Sequence, residues 1–144
     1  FKTINDSHGH AAGDAVLVHV ARHGQAVLRC TDLFGRYGGD EFVAILPETD
    51  LLTAAAIAER LRVAVGEPVP GTPGLPPGVN NVTISIGVAA VTPGCDCVED
   101  LIAQADQALY TAKHAGRNRT RVADEAIPPE NTSLRVIQGR REVG

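Results

Sequence analysis

The segment Arg36-Tyr37-Gly38-Gly39-Asp40-Glu41-Phe42 carries the sharpest chemical signal in this 144-residue chain. A Gly-Gly pair between two short apolar runs suits a tight hairpin turn, because glycine accepts the positive φ that such turns demand. The turn lets backbone approach a ligand closely and sets two carboxylates, Asp40 and Glu41, at the mouth of the hairpin. Adjacent side chains on a strand point to opposite faces, so the two acids are expected to have different tasks. Paired acids beside an exposed turn suit a Mg2+ ion that keeps several waters and binds phosphates. An ordinary hairpin with solvated charges is the alternative reading of the same residues.

The opening, from Phe1 to Asp14, offers the Lys2 ammonium, the Asn5 amide, the Asp6 and Asp14 carboxylates and the His8 and His10 imidazoles. It reads as one loop leading into a helix N-terminus. An amide beside a carboxylate complements the guanine edge, with its O6 acceptor and its N1–H and N2–H2 donors. Asp14 would serve equally as a helix cap. His8-x-His10 has no third metal-type ligand nearby, which favours a structural role over a metal pair. Lys113 and Arg117, four apart at a helix end, can clasp a polyphosphate or merely complement the helix dipole. Arg29-x-x-Asp32 says little by itself. Cys95-x-Cys97 is too closely spaced for easy disulfide closure and has no partner pair for a metal.

These residues need elements to hold them. Apolar positions recur at helical spacing over residues 14–28, 50–65 and 98–115. Gly116 fits the last helix as a C-cap, with Lys113 and His114 in its final turn. Residues 33–37 and 41–46 form the two arms of the hairpin, and Pro47 closes the second arm. Residues 81–90 alternate apolar and small polar side chains as a strand, and 119–122 suit a short final strand. Residues 66–80 hold five prolines and four glycines and read as a loop, with another turn region at 92–97. The stretch 123–144 lacks periodicity and is expected to be a tail of low order. Helices alternating with strands imply one layered α/β or α+β domain over residues 1–122.

Composition narrows the function classes. A hydrophobic fraction of 44% with 21% charged residues excludes a mainly disordered chain. The net charge of −4 argues against a broad nucleic-acid surface. No apolar run approaches the roughly 20 residues of a membrane-spanning helix. Cys30, Cys95 and Cys97 make no disulfide framework, which points to a reducing cytoplasm.

Taken in order, FKTINDSHGHAAGDAVL, RYGGDEF, NVTISIGVA and ADQALYTAKHAGRNR resemble the GGDEF domain of diguanylate cyclases, from Phe1 to about Val122. The resemblance implies a palm-like α/β (α+β) fold related to nucleotidyl cyclases, with a central sheet flanked by helices. It implies condensation of two GTP into cyclic di-GMP and pyrophosphate by a homodimer, with Mg2+ or Mn2+ assisting attack of a 3′-hydroxyl on an α-phosphate. By matching positions, Asn5 and Asp14 would hold guanine, and Gly38 and Gly39 would let the chain pass the phosphates. Lys2, Lys113 and Arg117 would bind the triphosphate. Asp40 would be a metal ligand and Glu41 would sit near the reacting hydroxyl. Arg29, Asp32 and Arg60 match the family's inhibitory product site, so a non-catalytic module that binds cyclic di-GMP is the alternative function. The family's first strand, with its acidic metal ligand, would precede Phe1 and is expected to be missing. Its sheet neighbours are then expected to lack ladder partners, and this chain alone to be inactive. A sensory domain, and with it a possible membrane anchor for an otherwise cytoplasmic protein, is expected on the N-terminal side.

Overall fold

A computed structural model of the chain describes residues 2–67, 79, 81–91, 97–123 and 135–142. Four helices, α1 (Lys2–His8), α2 (His10–Val27), α3 (Leu51–Gly66) and α4 (Val98–His114), pack on a sheet of five strands. The strands are β1 (Leu33–Gly38), β2 (Glu41–Ile45), β3 (Thr83–Ala90), β4 (Thr120–Val122) and β5 (Arg135–Glu142), in the order β1-β2-β5-β3-β4. This α+β arrangement agrees with the fold expected from the sequence.

Strand alternation divides the core. Phe42 and Ala44 of β2, with Ile84, Ile86 and Val88 of β3, pack under Val16, Leu17 and Val20 of α2 and Ile57, Leu61 and Val65 of α3. Val43, Ile45 and Ala89 face the other way, where Leu101 and Ala105 of α4 cover them. With both faces covered, β3 is buried from Ile84 to Ala90. Each fully buried Ile or Leu contributes about 2 kcal/mol of apolar transfer. Two glycines let the layers close. A methyl group at Gly87 would overlap the Ala105 carbonyl oxygen and the Leu109 backbone nitrogen, and one at Gly24 would overlap the Phe34 ring.

Two expectations need correction. Residues 2–8 form a helix, and α2 begins at His10 after Gly9, whose φ is +80°. Asp14 therefore lies in the second turn of α2, too far in to cap it. The second correction concerns the tail. Arg135–Glu142 is no low-order segment: it is the middle strand, antiparallel to β2 on one side and to β3 on the other. The ladder partners thought to be lacking are supplied by β5. A strand paired on both edges draws stability from two rows of backbone hydrogen bonds, and these leave no periodic trace in sequence. The bulk of the proline-rich loop, the turn at 92–96 with Cys95, and residues 124–134 fall outside the described residues. Among those described, no helix is long and apolar enough to cross a membrane.

Candidate active site

The sheet register brings two loops to one end of the molecule. Glu41 of β2 and Ser85 of β3 both pair with Arg140 of β5, one from each side, and Gly38 pairs with Glu41. The hairpin tip and Ser85 therefore share a row across the sheet. With about 4.8 Å between strands, Glu41 and Ser85 stand roughly 10 Å apart along it. The backbone nitrogen of Asn118 donates to Ser85 Oγ at 3.1 Å, which pins the loop after α4 to that same row.

At the tip, Gly39 takes φ +46° and Arg36 Nε donates to its carbonyl at 2.9 Å. The register shifts between Arg36 and Gly38, so Tyr37 bulges from the ladder. Asp40 belongs to the turn and Glu41 opens β2. The two acids thus differ in backbone setting, and both are half-buried. Glu41 shares the parity of Val43 and Ile45 and hence the α4 face.

Asn5 lies on α1 beside Ile4, which is 3% exposed and belongs to the same core cluster as Phe42. Through α2, on which α1 packs, Ile4 joins the core beneath the sheet. The Asn5 Oδ1 atom is buried and has no hydrogen-bond partner. An acceptor left so costs about 1–3 kcal/mol, so this atom is poised for a donor. Asp14 is exposed on α2, and Lys2 is the first residue of α1.

Lys113 stands in the last turn of α4, but Arg117 is past its end. Gly116, Arg117 and Asn118 take φ values of +105°, +59° and +43° in succession. The expected pair of cations on one helix is therefore a helix residue and a loop residue. Sequence reasoning passed over what holds this loop. Arg62 Nη1 donates to Asn118 Oδ1 at 2.7 Å, and Glu59 accepts from Arg62 and from Thr120 Oγ1. The Arg62 hydrogen bonds hold the Glu59 carboxyl below its ordinary range, and Glu59 in turn raises Arg62. The available signals were the Glu59-x-x-Arg62 spacing on α3 and an asparagine, a residue tolerant of left-handed backbone, after Gly116-Arg117.

Arg29, Asp32 and Arg60 gather elsewhere. Asp32 Oδ2 accepts from the Arg29 backbone nitrogen at 2.8 Å, and Arg60 Nη2 donates to the Val27 carbonyl at 3.0 Å. This turn precedes Leu33, at the start of β1, whereas Gly38 ends that strand. The five residue steps between them span roughly 17 Å.

A family model described as "Diguanylate cyclase, GGDEF domain" matches residues 1–119. The chain belongs to the GGDEF family. Among curated relatives, diguanylate cyclase A of Treponema denticola is 41% identical over 128 residues, which are 89% of this chain and 34% of that protein. The chain thus spans about a third of that relative's length. The active GGEEF domain of a diguanylate cyclase from Vibrio cholerae superposes with a TM-score of 0.76 at 35% identity, covering 87% of this chain and 77% of that one. The GGDEF domain of DgcB from Caulobacter crescentus, solved in complex with c-di-GMP, gives 0.75 at 33% identity, covering 86% and 72%. In this GGDEF domain no three His, Cys, Asp or Glu side chains converge as a metal cluster among the described residues. Mg2+ needs no such cluster, since one or two carboxylates plus substrate phosphates suffice, and the Asp40 carboxylate fits that donor set.

Proposed function

We propose that this GGDEF domain serves in making cyclic di-GMP, each of two copies in a homodimer presenting one GTP to the other, and that the 144-residue chain by itself is inactive. The observation that carries the reading is the buried, unpartnered Oδ1 of Asn5. A guanine N–H donor satisfies it, and Asp14 on the adjoining helix supplies the second acceptor for the purine edge. The exposed backbone of Gly38 and Gly39 offers the triphosphate a close path. Lys2, Lys113 and Arg117 balance its charge. Asp40, with Glu41 beside it, would hold Mg2+, which when bound neutralises charge on the attacking and leaving oxygens. Glu41 orients the 3′-hydroxyl that displaces pyrophosphate from the partner's α-phosphorus; two such displacements close the cyclic dinucleotide and release two pyrophosphates.

Arg29, Asp32 and Arg60 form the product site in this reading. Their separation from the hairpin tip along β1 makes that site distinct from the catalytic one. Calorimetry with GTP and ATP in the presence of Mg2+ tests the central claim. Guanine preference in the wild type that disappears in Asn5→Ala is the expected result. Equal affinity for both nucleotides would remove the basis for placing guanine at Asn5.

A further inference from the structure

The loop carrying Arg117 adopts a backbone that its side chains oppose. Three successive left-handed residues, two of them not glycine, persist only where the surroundings over-determine them. Ser85 Oγ holds the Asn118 nitrogen, the Arg117 nitrogen donates to the Ala112 carbonyl at 3.1 Å, and Arg119 Nε donates to the Arg117 carbonyl at 3.0 Å. These contacts come from the sheet, from the last turn of α4 and from the loop itself. Arg62 reaches in from a different element, α3, 56 residues away in sequence.

Arg62 is fixed before it arrives. Its Nε lies 2.9–3.0 Å from the two Glu59 carboxylate oxygens and its Nη2 lies 2.6 Å from one of them, leaving Nη1 for Asn118. A planar guanidinium held in this two-pronged way has little rotational freedom left, so its remaining donor acts as a rigid peg. Glu59 also accepts from Thr120 at 3.0 Å, just beyond the loop. The pair therefore grips both the left-handed turn and the strand that follows it.

We infer that Arg62, oriented by Glu59, is a positioning residue that sets Arg117 for the β- and γ-phosphates of the nucleotide by anchoring Asn118. The inference rests on the reading of Arg117 as a triphosphate ligand and deepens it. Neither Arg62 nor Glu59 touches the nucleotide in this account.

The test compares GTP and GMP binding by calorimetry with Mg2+, using the whole 144-residue chain. GMP lacks the phosphates Arg117 would hold, so a positioning role changes the ratio of the two affinities, whereas general loosening lowers both together. Wild type should prefer GTP, and Arg62→Gln should cut that preference roughly tenfold at unchanged GMP affinity. Asn118→Ala should do the same, and the double variant should be no worse than either single one, because both break one contact. If Arg62→Gln fails to fold, Arg62→Lys serves, with an intermediate ratio expected. An unchanged ratio, or equal losses for both ligands, overturns the inference. A wild type with no preference for GTP overturns the triphosphate reading beneath it, a result seen before any variant is made.

Discussion

The hairpin tip and the loop after α4 share a row of the sheet, yet they keep their left-handed residues by different means. At the tip the positive φ falls on Gly39, and nothing within 4 Å would meet a side chain there. Local chemistry suffices: a glycine, and one hydrogen bond from Arg36 three residues back. After α4 the same backbone region is occupied by Arg117 and Asn118, and contacts from α3 and β3 hold it. One loop is permitted by its own residues and the other is enforced by its neighbours. The tip is therefore expected to tolerate remote changes, and the second loop to feel any change in the packing of α3, α4 or β3.

The largest effect should come from the tip's chemistry. Asp40→Ala, made in a chain extended on its N-terminal side to include the family's acidic first strand, is expected to lower formation of cyclic di-GMP from GTP by at least about 100-fold, by removing a carboxylate that balances metal charge. Product chromatography checks this, as does the Mg2+ dependence of GTP affinity. Turnover near wild type would move the metal role elsewhere. The enforced loop should break from beneath. Gly87→Ala drives a methyl into the α4 backbone and is expected to cost about 3 kcal/mol or more in urea unfolding. A cost below about 1 kcal/mol would mean that α4 shifts freely on the sheet.

Smaller effects sharpen the contrast. Gly39→Val should cost about 1–2 kcal/mol through backbone conformation alone, with Gly39→Asn closer to neutral. Equal costs for the two would show that φ at the tip is not the controlling variable. The last concerns His19, which is 3% exposed and whose Nε2 lies 3.0 Å from the carbonyl of Val65, at the end of α3. Burial outweighs that hydrogen bond and lowers its pKa, with His23 adding a smaller push the same way. The unfolded chain then binds the proton more readily, so stability is full above the ordinary histidine value of 6.5 and falls as pH drops below it. The slope should not exceed about 1.4 kcal/mol per pH unit, and His19→Gln should flatten it. An unchanged slope in that variant would assign the effect to another group.

Legibility in the sequence followed the range of the forces involved. The hairpin, α3, α4, β3 and β4 were readable because side-chain period and local turn chemistry determine them. The α1 helix was hidden because its seven residues are mostly polar and Ile4 is its one buried hydrophobic side chain among the described residues. Short helices of that kind are held by tertiary packing rather than propensity. The strand Arg135–Glu142 was hidden because its stability lies in its neighbours' backbones. At the site, the motif residues Asn5, Gly38, Gly39, Asp40 and Glu41 stood out by type and spacing. The residues that enforce the second loop did not, since Arg62 and Ser85 meet Asn118, and Glu59 meets Thr120, only through long-range packing.

The placement of β5 also governs the order in which the molecule can be made. Its partners Glu41–Ile45 precede it by roughly ninety residues, so the centre of the sheet forms through contacts of high sequence separation. Such pairings pay a large loop-closure cost before they return any stability, and topologies rich in them fold slowly. During synthesis the hairpin and β3 can take up their local structure early, but they cannot be joined edge to edge until residues 135–142 have emerged from the ribosome. Until then two strand edges stay open, a state in which a nascent chain is prone to pair with another copy. Slow translation up to residue 142 would lengthen that interval, and a chaperone that shields strand edges would have its greatest effect within it.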